Sequence, residues 1–327
     1  MVNFSHVLKE INSLKNNALS SILILTLFHS ATLLANESLA TEPPYLMILG
    51  VSQDAGYPQV GCYQKHCMKG WKKPSERRNP VSLGVIDPKF KMKYLFEATP
   101  SFPQQLFKLD QQTKDDNFTL AGIFLTHAHI GHYTGLMFLG HEAMGAKNTP
   151  VYTMPKMKTF LTNNGPWSQL VDFKNITLMP LKNQQSEKLG SLKITPFIVP
   201  HRDEFSETVG YKIEGPNKSA LFIPDINKWS IWKQDLAKLV KSVDYAFLDS
   251  TFFSQGELPG RDMSKVPHPL VTETMHELKN LSIKERNKVW LIHFNHTNPL
   301  LVPNSKAQKQ VKEFGFNVAE EGVKLVL

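Results

Sequence analysis

Five times in this chain an apolar, strand-length run stops at a histidine or an aspartate: Phe124-Leu125-Thr126-His127, Ile198-Val199-Pro200-His201, Phe222-Ile223-Pro224-Asp225, Phe247-Leu248-Asp249 and Leu291-Ile292-His293. Strands are rigid and hold the side chains at their ends in place, while the loops that follow leave room for a ligand. A lone histidine at a strand end is ordinarily a hydrogen-bonded structural residue, so it is the repetition that points to a site. The densest segment is Thr126-His127-Ala128-His129-Ile130-Gly131-His132, with three imidazoles in six residues. Neutral imidazole is a good donor to zinc and related divalent metals, and His127 and His129, two apart on an extended loop, can grip one ion. His132 then points to another position. Gly131 permits a tight turn or close backbone approach, and Thr134-Gly135 leads into a helix whose positive end faces the loop.

These residues need a layered frame to bring them together. Runs rich in aliphatic and aromatic residues predict strands at 45–51, 81–87, 94–97, 123–126, 192–199, 220–223, 245–248 and 289–292. Apolar steps of three and four predict helices at 135–144, 156–163, 229–241, 270–278 and 305–314. The alternation runs on with no low-complexity linker or internal repeat, which predicts one α/β domain over residues 41–327. The segment 65–78 differs: it carries Lys65, Lys69, Lys72, Lys73, Arg77 and Arg78 against Glu76 alone, the mark of a solvated loop or helix face, or else of an anion-binding rim.

Composition sets the outer limits. With 327 residues, 41% hydrophobic and 20% charged, the chain is that of a folded protein, not a disordered, collagen-like or polytopic membrane one. The 37 Lys and Arg against 29 Asp and Glu give a net charge of +8, carried by the body of the chain, which favours anionic partners. Cys62 and Cys67 are the two cysteines; they exclude a disulfide-dense scaffold and leave one close pair, either a disulfide or part of a metal site. At the amino terminus, Lys9 and Lys15 precede an apolar stretch from Ala18 to Ala35 and the small residues Ser38-Leu39-Ala40. Residues 1–40 therefore read as a cleavable export signal, with periplasmic or secreted destination and no membrane insertion after cleavage. An uncleaved anchor is the alternative, made a poor span by Ser20, Ser21, His29 and Ser30.

The histidine loop, followed by later His, Asp and His residues after strands, resembles the metallo-β-lactamase fold superfamily, whose loop reads His-x-His-x-Asp-His. That resemblance implies an α/β fold, a single-domain αβ/βα four-layer sandwich with metals at the edge between its two sheets. It implies one metal held by His127, His129 and His201, a second by His132 and His293, and Asp225 bridging them. Glu97 stands where the family has a strand-end Asp that supports the histidine loop. More narrowly, Gly50-Val51-Ser52-Gln53-Asp54-Ala55-Gly56-Tyr57-Pro58-Gln59, Cys62, and Ile292-His293-Phe294-Asn295-His296-Thr297-Asn298-Pro299 look like the PqqB group, named for pyrroloquinoline quinone biosynthesis. The pair His293 and His296 is instead similar to the His-x-x-His of the phosphodiesterase of the carbon-phosphorus lyase pathway, where the second His joins a Cys-x-Cys-x-x-Cys segment in a structural zinc site. By that resemblance Cys62, Cys67 and His296, with His66 or water, would hold a structural zinc, which is favoured here over a disulfide.

Two departures matter. Gly131 replaces the Asp that ligates the second metal in most catalytic members, so a secure first metal and a weaker, water-filled or empty second site are expected. The loop also keeps the two histidines that the PqqB group generally lacks, and export would remove the protein from cytoplasmic cofactor synthesis, so a PqqB-like relative with a different task is expected.

Hydrolysis is the simplest chemistry for such a site: a divalent metal, zinc first, with manganese or iron as alternatives, lowers the pKa of bound water toward about 7. Asp225 would orient that nucleophile. Asp249 and His268 resemble the acidic residue and histidine that the ribonuclease Z and phosphodiesterase branches place opposite the metals, where the Asp fixes the tautomer of a proton donor. Arg202 and Arg261 are candidates for binding an anionic group, as guanidinium offers a planar fork of donors. The expected substrate is a small anionic ester, a phosphodiester first, with nucleic acid ranked lower. The rivals are an iron-dependent enzyme acting on oxygen and a metal- or ligand-binding protein without turnover.

Overall fold

The computed structural model describes residues 42–113 and 117–327. The export signal expected at 1–40 lies outside the described residues. Among the described residues, no helix is long and apolar enough to cross a membrane.

Two seven-stranded sheets make the frame. The first contains β1 (Tyr45–Gly50), β2 (Ser82–Asp87), β3 (Met92–Phe96), β4 (Thr119–Phe124), β5 (Thr149–Thr153), β6 (Ile176–Pro180) and β14 (Lys324–Val326), in the order β14-β1-β2-β3-β4-β5-β6. The second contains β7 (Glu187–Leu189), β8 (Leu192–Ile198), β9 (Val209–Glu214), β10 (Ser219–Ile223), β11 (Tyr245–Asp249), β12 (Val289–Ile292) and β13 (Asn317–Val318), in the order β13-β12-β11-β10-β9-β8-β7. Both sheets are mixed: β1 to β3 pair antiparallel and β3 to β6 parallel, while β7 to β10 pair antiparallel and β10 to β13 parallel.

Strand alternation decides which side chain meets which layer. On β1, Leu46 and Ile48 enter the large core that also holds Phe96, Phe124, Tyr211 and Phe222 from both sheets. Met47 and Leu49 face the other way, into a core shared with Leu109 of α2 (Phe102–Asp110), Met157 and Leu161 of α4 (Pro155–Asn163) and Leu170 of α5 (Trp167–Asp172). The second sheet is backed by Leu236 and Val240 of α6 (Leu236–Lys241), Val271 of α7 (Val271–Glu277) and Val311 of α8 (Lys306–Phe314). The result is the four-layer sandwich, helix, sheet, sheet, helix. Aromatic rings lock its centre: Phe124 stacks on Phe96 at 4.9 Å and on Tyr152 at 4.4 Å, and meets Tyr211 of the opposite sheet edge-on at 5.6 Å.

Local chemistry moved several element bounds. The helix expected at 229–241 is divided into a 3-10 turn at Trp229–Ile231 and α6, because Asp235 caps α6 by accepting from the Lys238 amide. The helix expected at 135–144 is a 3-10 segment, Thr134–Leu139, following the short α3 (Ile130–Tyr133). The basic stretch is a helix, α1 (Lys65–Lys72), followed by Pro74, with Lys69 paired to Glu76 at 2.9 Å.

Cys62 and Cys67 bracket the start of α1. The structure corrects the preference for a structural zinc there: the two sulfurs are bonded, 2.04 Å apart. A disulfide removes the thiolates that zinc would need. The rest of the expected group does assemble, with His66 Nε2 at 3.5 Å from Cys62 Sγ and the His66 and His296 rings stacked 5.5 Å apart. Closing a loop this short constrains the unfolded chain by about 2 kcal/mol. The Cys62→Ala variant is expected to lose that much stability in urea unfolding, and an unchanged midpoint would show that the bond does not restrain the chain.

Candidate metal centre

The residues at the strand ends converge on Asp225, which lies just beyond β10 and is buried. Its Oδ2 lies 3.2 Å from His201 Nε2, 3.3 Å from His127 Nε2, 3.7 Å from His132 Nε2 and 4.0 Å from His129 Nδ1, and its Oδ1 lies 3.1 Å from His268 Nδ1. His293, directly after β12, completes the ring beside His132, their centroids 5.4 Å apart. His127, His129 and His132 come from the first sheet's edge and the others from the second, so the site sits where the strand ends of both sheets meet.

The buried histidines are oriented from behind by matching devices. Thr126 Oγ1 donates to Glu97 Oε1 at 2.5 Å and lies 2.8 Å from His127 Nδ1, while His132 Nδ1 lies 3.1 Å from the same Glu97 oxygen. On the opposite side Thr251 Oγ1 donates to Asp249 Oδ1 at 2.6 Å and lies 2.8 Å from His293 Nδ1. In each case a threonine hydroxyl or a carboxylate oxygen accepts from Nδ1, which turns Nε2 toward the site. The Nε2 atoms of His127, His132 and His293 are indeed buried without a hydrogen bond, as are His201 Nδ1 and Asp225 Oδ1. Unpartnered buried polar atoms cost about 1–3 kcal/mol each, so a cluster of them calls for a ligand. The donors of His127, His129, His201 and Asp225 lie within 4.8 Å of one another, and the same holds for Asp225, Asp249, His268 and His293. That is the scale set by donors about 2.1 Å from a shared ion. The set fits a divalent metal centre.

Backbone strain accompanies these positions. Glu97 and His293 take left-handed φ values of 79° and 70°, unusual for residues other than glycine. Such conformations cost about 1–3 kcal/mol each and persist where the surroundings over-determine them.

Electrostatics divides the histidines. Burial pushes the His127 imidazole well below its ordinary value, and burial also lowers His129, which keeps both neutral and able to donate a lone pair. Burial would lower His132 as well, but the neighbouring Glu97, Asp54 and Asp225 carboxylates outweigh it and raise His132 well above the ordinary value in the metal-free site. For Asp225, burial acts upward and the His201 and His268 charges overcome it, so the carboxyl is held far below the usual range. For Asp249, burial likewise acts upward, yet His268 and His293 hold it at about 2. His268 is the counterpart: burial lowers it, and Asp249 and Asp225 outweigh burial to bring it to about 10. Its Nδ1 lies 2.9 Å from Asp249 Oδ2.

Arg202 stands at the mouth, its guanidinium 3.3 Å from His129 Nε2 and loosely beside Glu204 at 3.9 Å. Arg261 is not brought to the cluster: it lies in an exposed loop and makes no side-chain contact with it among the described residues. Four neighbours escaped the sequence reading as site residues. Thr126 and Thr251 carried a signal, each standing within two residues of a strand-end His or Asp. Glu204, 3.5 Å from His129 Nε2, carried none. Asp54, in the loop after β1, lies 3.5 Å from His132 Nε2; it was visible only as part of the Gln53-Asp54-Ala55-Gly56 run.

Comparison with known proteins agrees with this geometry. A family model described as a beta-lactamase superfamily domain matches residues 92–294. The coenzyme PQQ synthesis protein B of Gluconobacter oxydans is 24% identical over 304 residues, covering 85% of this chain and 97% of its own. Zinc-bound PqqB from Methylobacterium extorquens superposes with a TM-score of 0.72 at 21% identity, covering 86% of this chain and 100% of that one. A diphosphatase of the PhnP family superposes with a TM-score of 0.63 at 20% identity, covering 87% of this chain and 97% of that one. The chain is thus PqqB-like with hydrolases among its structural neighbours, and, with a family model spanning well over half of it, it belongs to the beta-lactamase superfamily.

Proposed function

We propose that this protein is a metal-dependent hydrolase of small anionic esters, with a phosphodiester as the first substrate class. The observation that carries this reading is Asp225, buried beside His127 and His132, whose Nε2 atoms have no hydrogen bond, with His129, His201 and the His268 and Asp249 pair around it. His127, His129, His201 and Asp225 would hold one ion, and His132 and His293 belong to a second position alongside it. Mixed nitrogen and oxygen donors suit zinc best, with manganese or iron as the alternatives. When bound, the metal supplies Lewis acidity and a water of lowered pKa.

The chain's own residues supply the rest. His268 carries a proton at neutral pH, bonds Asp249 through Nδ1 with Asp225 close beside it, and so offers its Nε2 proton to a departing oxygen. Arg202, exposed at the rim beside His129, presents a fork to an anionic group. The diphosphatase that shares this fold supports a phosphorus ester as the first choice.

Export belongs to the same reading. The bonded Cys62 and Cys67 pair is of the kind an oxidising compartment maintains, and the apolar stretch after Lys15 has the form of a signal. Cell fractionation checks it, with the protein expected in the periplasm or medium.

Hydrolysis of bis(4-nitrophenyl) phosphate tests the activity. Zinc- or manganese-loaded protein is expected to turn it over, to stop when stripped by chelator, and to recover on reloading. Metal-loaded protein that cleaves carboxylic esters or lactams but no phosphorus ester would remove the substrate class while leaving the hydrolase.

A further inference from the structure

Gly131 lacks the carboxylate that would complete the second position, and the structure shows why no side chain stands there. A Cβ built on Gly131 would lie 2.3 Å from the Asp54 Cα, 2.7 Å from its carbonyl oxygen and 2.9 Å from its carbonyl carbon. These are backbone atoms and cannot swing aside. The space in which a side chain at 131 would begin is filled by the loop between β1 and β2.

That loop is pinned to the segment carrying His293. Phe294 N donates to Val51 O at 2.8 Å, Gln53 N donates to Phe294 O at 2.9 Å, and Gly56 N closes the turn on Gln53 O at 3.0 Å. Asp54 takes a left-handed φ of 41° in this turn. Its Oδ1 then lies 3.5 Å from His132 Nε2 and 3.9 Å from His293 Nε2. Both nitrogens belong to fully buried side chains and have no hydrogen bond. The donor atoms of Asp54, His132 and His293 all lie within 4.8 Å of one another. Asp225 Oδ2, 3.7 Å from His132 Nε2, closes the side shared with the first position.

From this we infer that Asp54 takes the place of the missing loop carboxylate and ligates a second divalent ion together with His132 and His293. The ligand has moved from the histidine loop to the loop of a neighbouring strand, and glycine at 131 is what makes room for it. The negative charge lost at position 131 is thereby restored from another part of the chain, so the second position is a competent site and not a weakened remnant. Half of the Asp54 side chain faces solvent, whereas His132 and His293 are buried. This inference rests on the metal-centre reading above.

Zinc titration of the metal-stripped full chain, without reductant so that Cys62 and Cys67 stay joined, tests it by stoichiometry and affinity and needs no substrate. The unaltered protein is expected to bind two ions. Asp54→Ala and Asp54→Asn are expected to bind the second at least about tenfold more weakly while the first is unchanged, and His201→Ala to weaken the other one. Circular dichroism confirms that each variant is folded, and the exposed position of Asp54 makes its two variants the robust ones. Two ions retained at unaltered affinity in both Asp54 variants would overturn the assignment of Asp54 while leaving the metal centre standing. No ion bound by the unaltered protein would overturn both.

Discussion

Asp225→Ala is expected to abolish metal retention and turnover together. The carboxylate is the anionic donor of the first position and borders the second, within 4.0 Å of nitrogens on His127, His129, His132, His201 and His268. Its removal leaves the imidazoles of His127, His129 and His201 facing one another without the carboxylate that would balance a cation between them. Asp225→Asn separates charge from shape, since the amide keeps the volume and drops the charge. Metal affinity in that variant is expected to fall by at least about 10–100-fold, measured by inductively coupled plasma analysis after equilibrium dialysis. A variant that held its metal at full affinity would show that Asp225 fills space without serving as a donor.

His268→Ala is expected to behave in the opposite way: metal retained, kcat reduced by about 10²–10⁴ as is usual when a general acid is lost. Asp249→Asn acts through His268 and carries a pH signature. The Asp249 and Asp225 carboxylates bring His268 to about 10 against the downward effect of burial, so removing Asp249 lets its pKa fall toward the ordinary 6.5. The alkaline limb of kcat is expected to move to lower pH in Asp249→Asn, which a merely structural role would not produce. The same shift appears in stability. A histidine whose folded pKa lies above its unfolded one contributes stability in full below about 6.5 and loses it as the pH rises through about 10. Metal-stripped Asp249→Asn is expected to show a shallower decline across that window. Equal metal loss in the alanine variant would move His268 from the proton-donor role into the ligand set.

Much of this site was legible because its residues announce themselves locally. A strand pattern that ends in His or Asp fixes both where a side chain sits and which way its sheet edge faces, so His127, His201, Asp225, Asp249 and His293 fell together as their spacing implied. The strands missed at β5, β6, β7, β9, β13 and β14 have short, less apolar or less sharply bounded runs; their pairing comes from neighbours, which no local window contains. Asp54 was hidden for the same reason. Its proximity to His132 is created by the folding of the β1–β2 loop across the histidine loop, and only the Cβ clearance at Gly131 exposes the link. The cysteine pair illustrates the limit of spacing. Cys62, His66, Cys67 and His296 do gather, yet spacing alone serves a zinc site and a disulfide equally, and the bond between the sulfurs decides it. Arg261 was proposed by residue type alone, and type without a strand to hold it did not bring it to the site.

The claim on which everything else depends is that the histidines and Asp225 hold a divalent metal. The direct test is the metal content of protein purified without a histidine tag, before and after reconstitution with zinc, beside a variant carrying both His127→Ala and His201→Ala. The account predicts at least one zinc ion per chain in the unaltered protein and one fewer in the double variant, the ion of the first position, once that variant is shown to be folded. An unaltered protein that carries no metal and takes up none on reconstitution would contradict it.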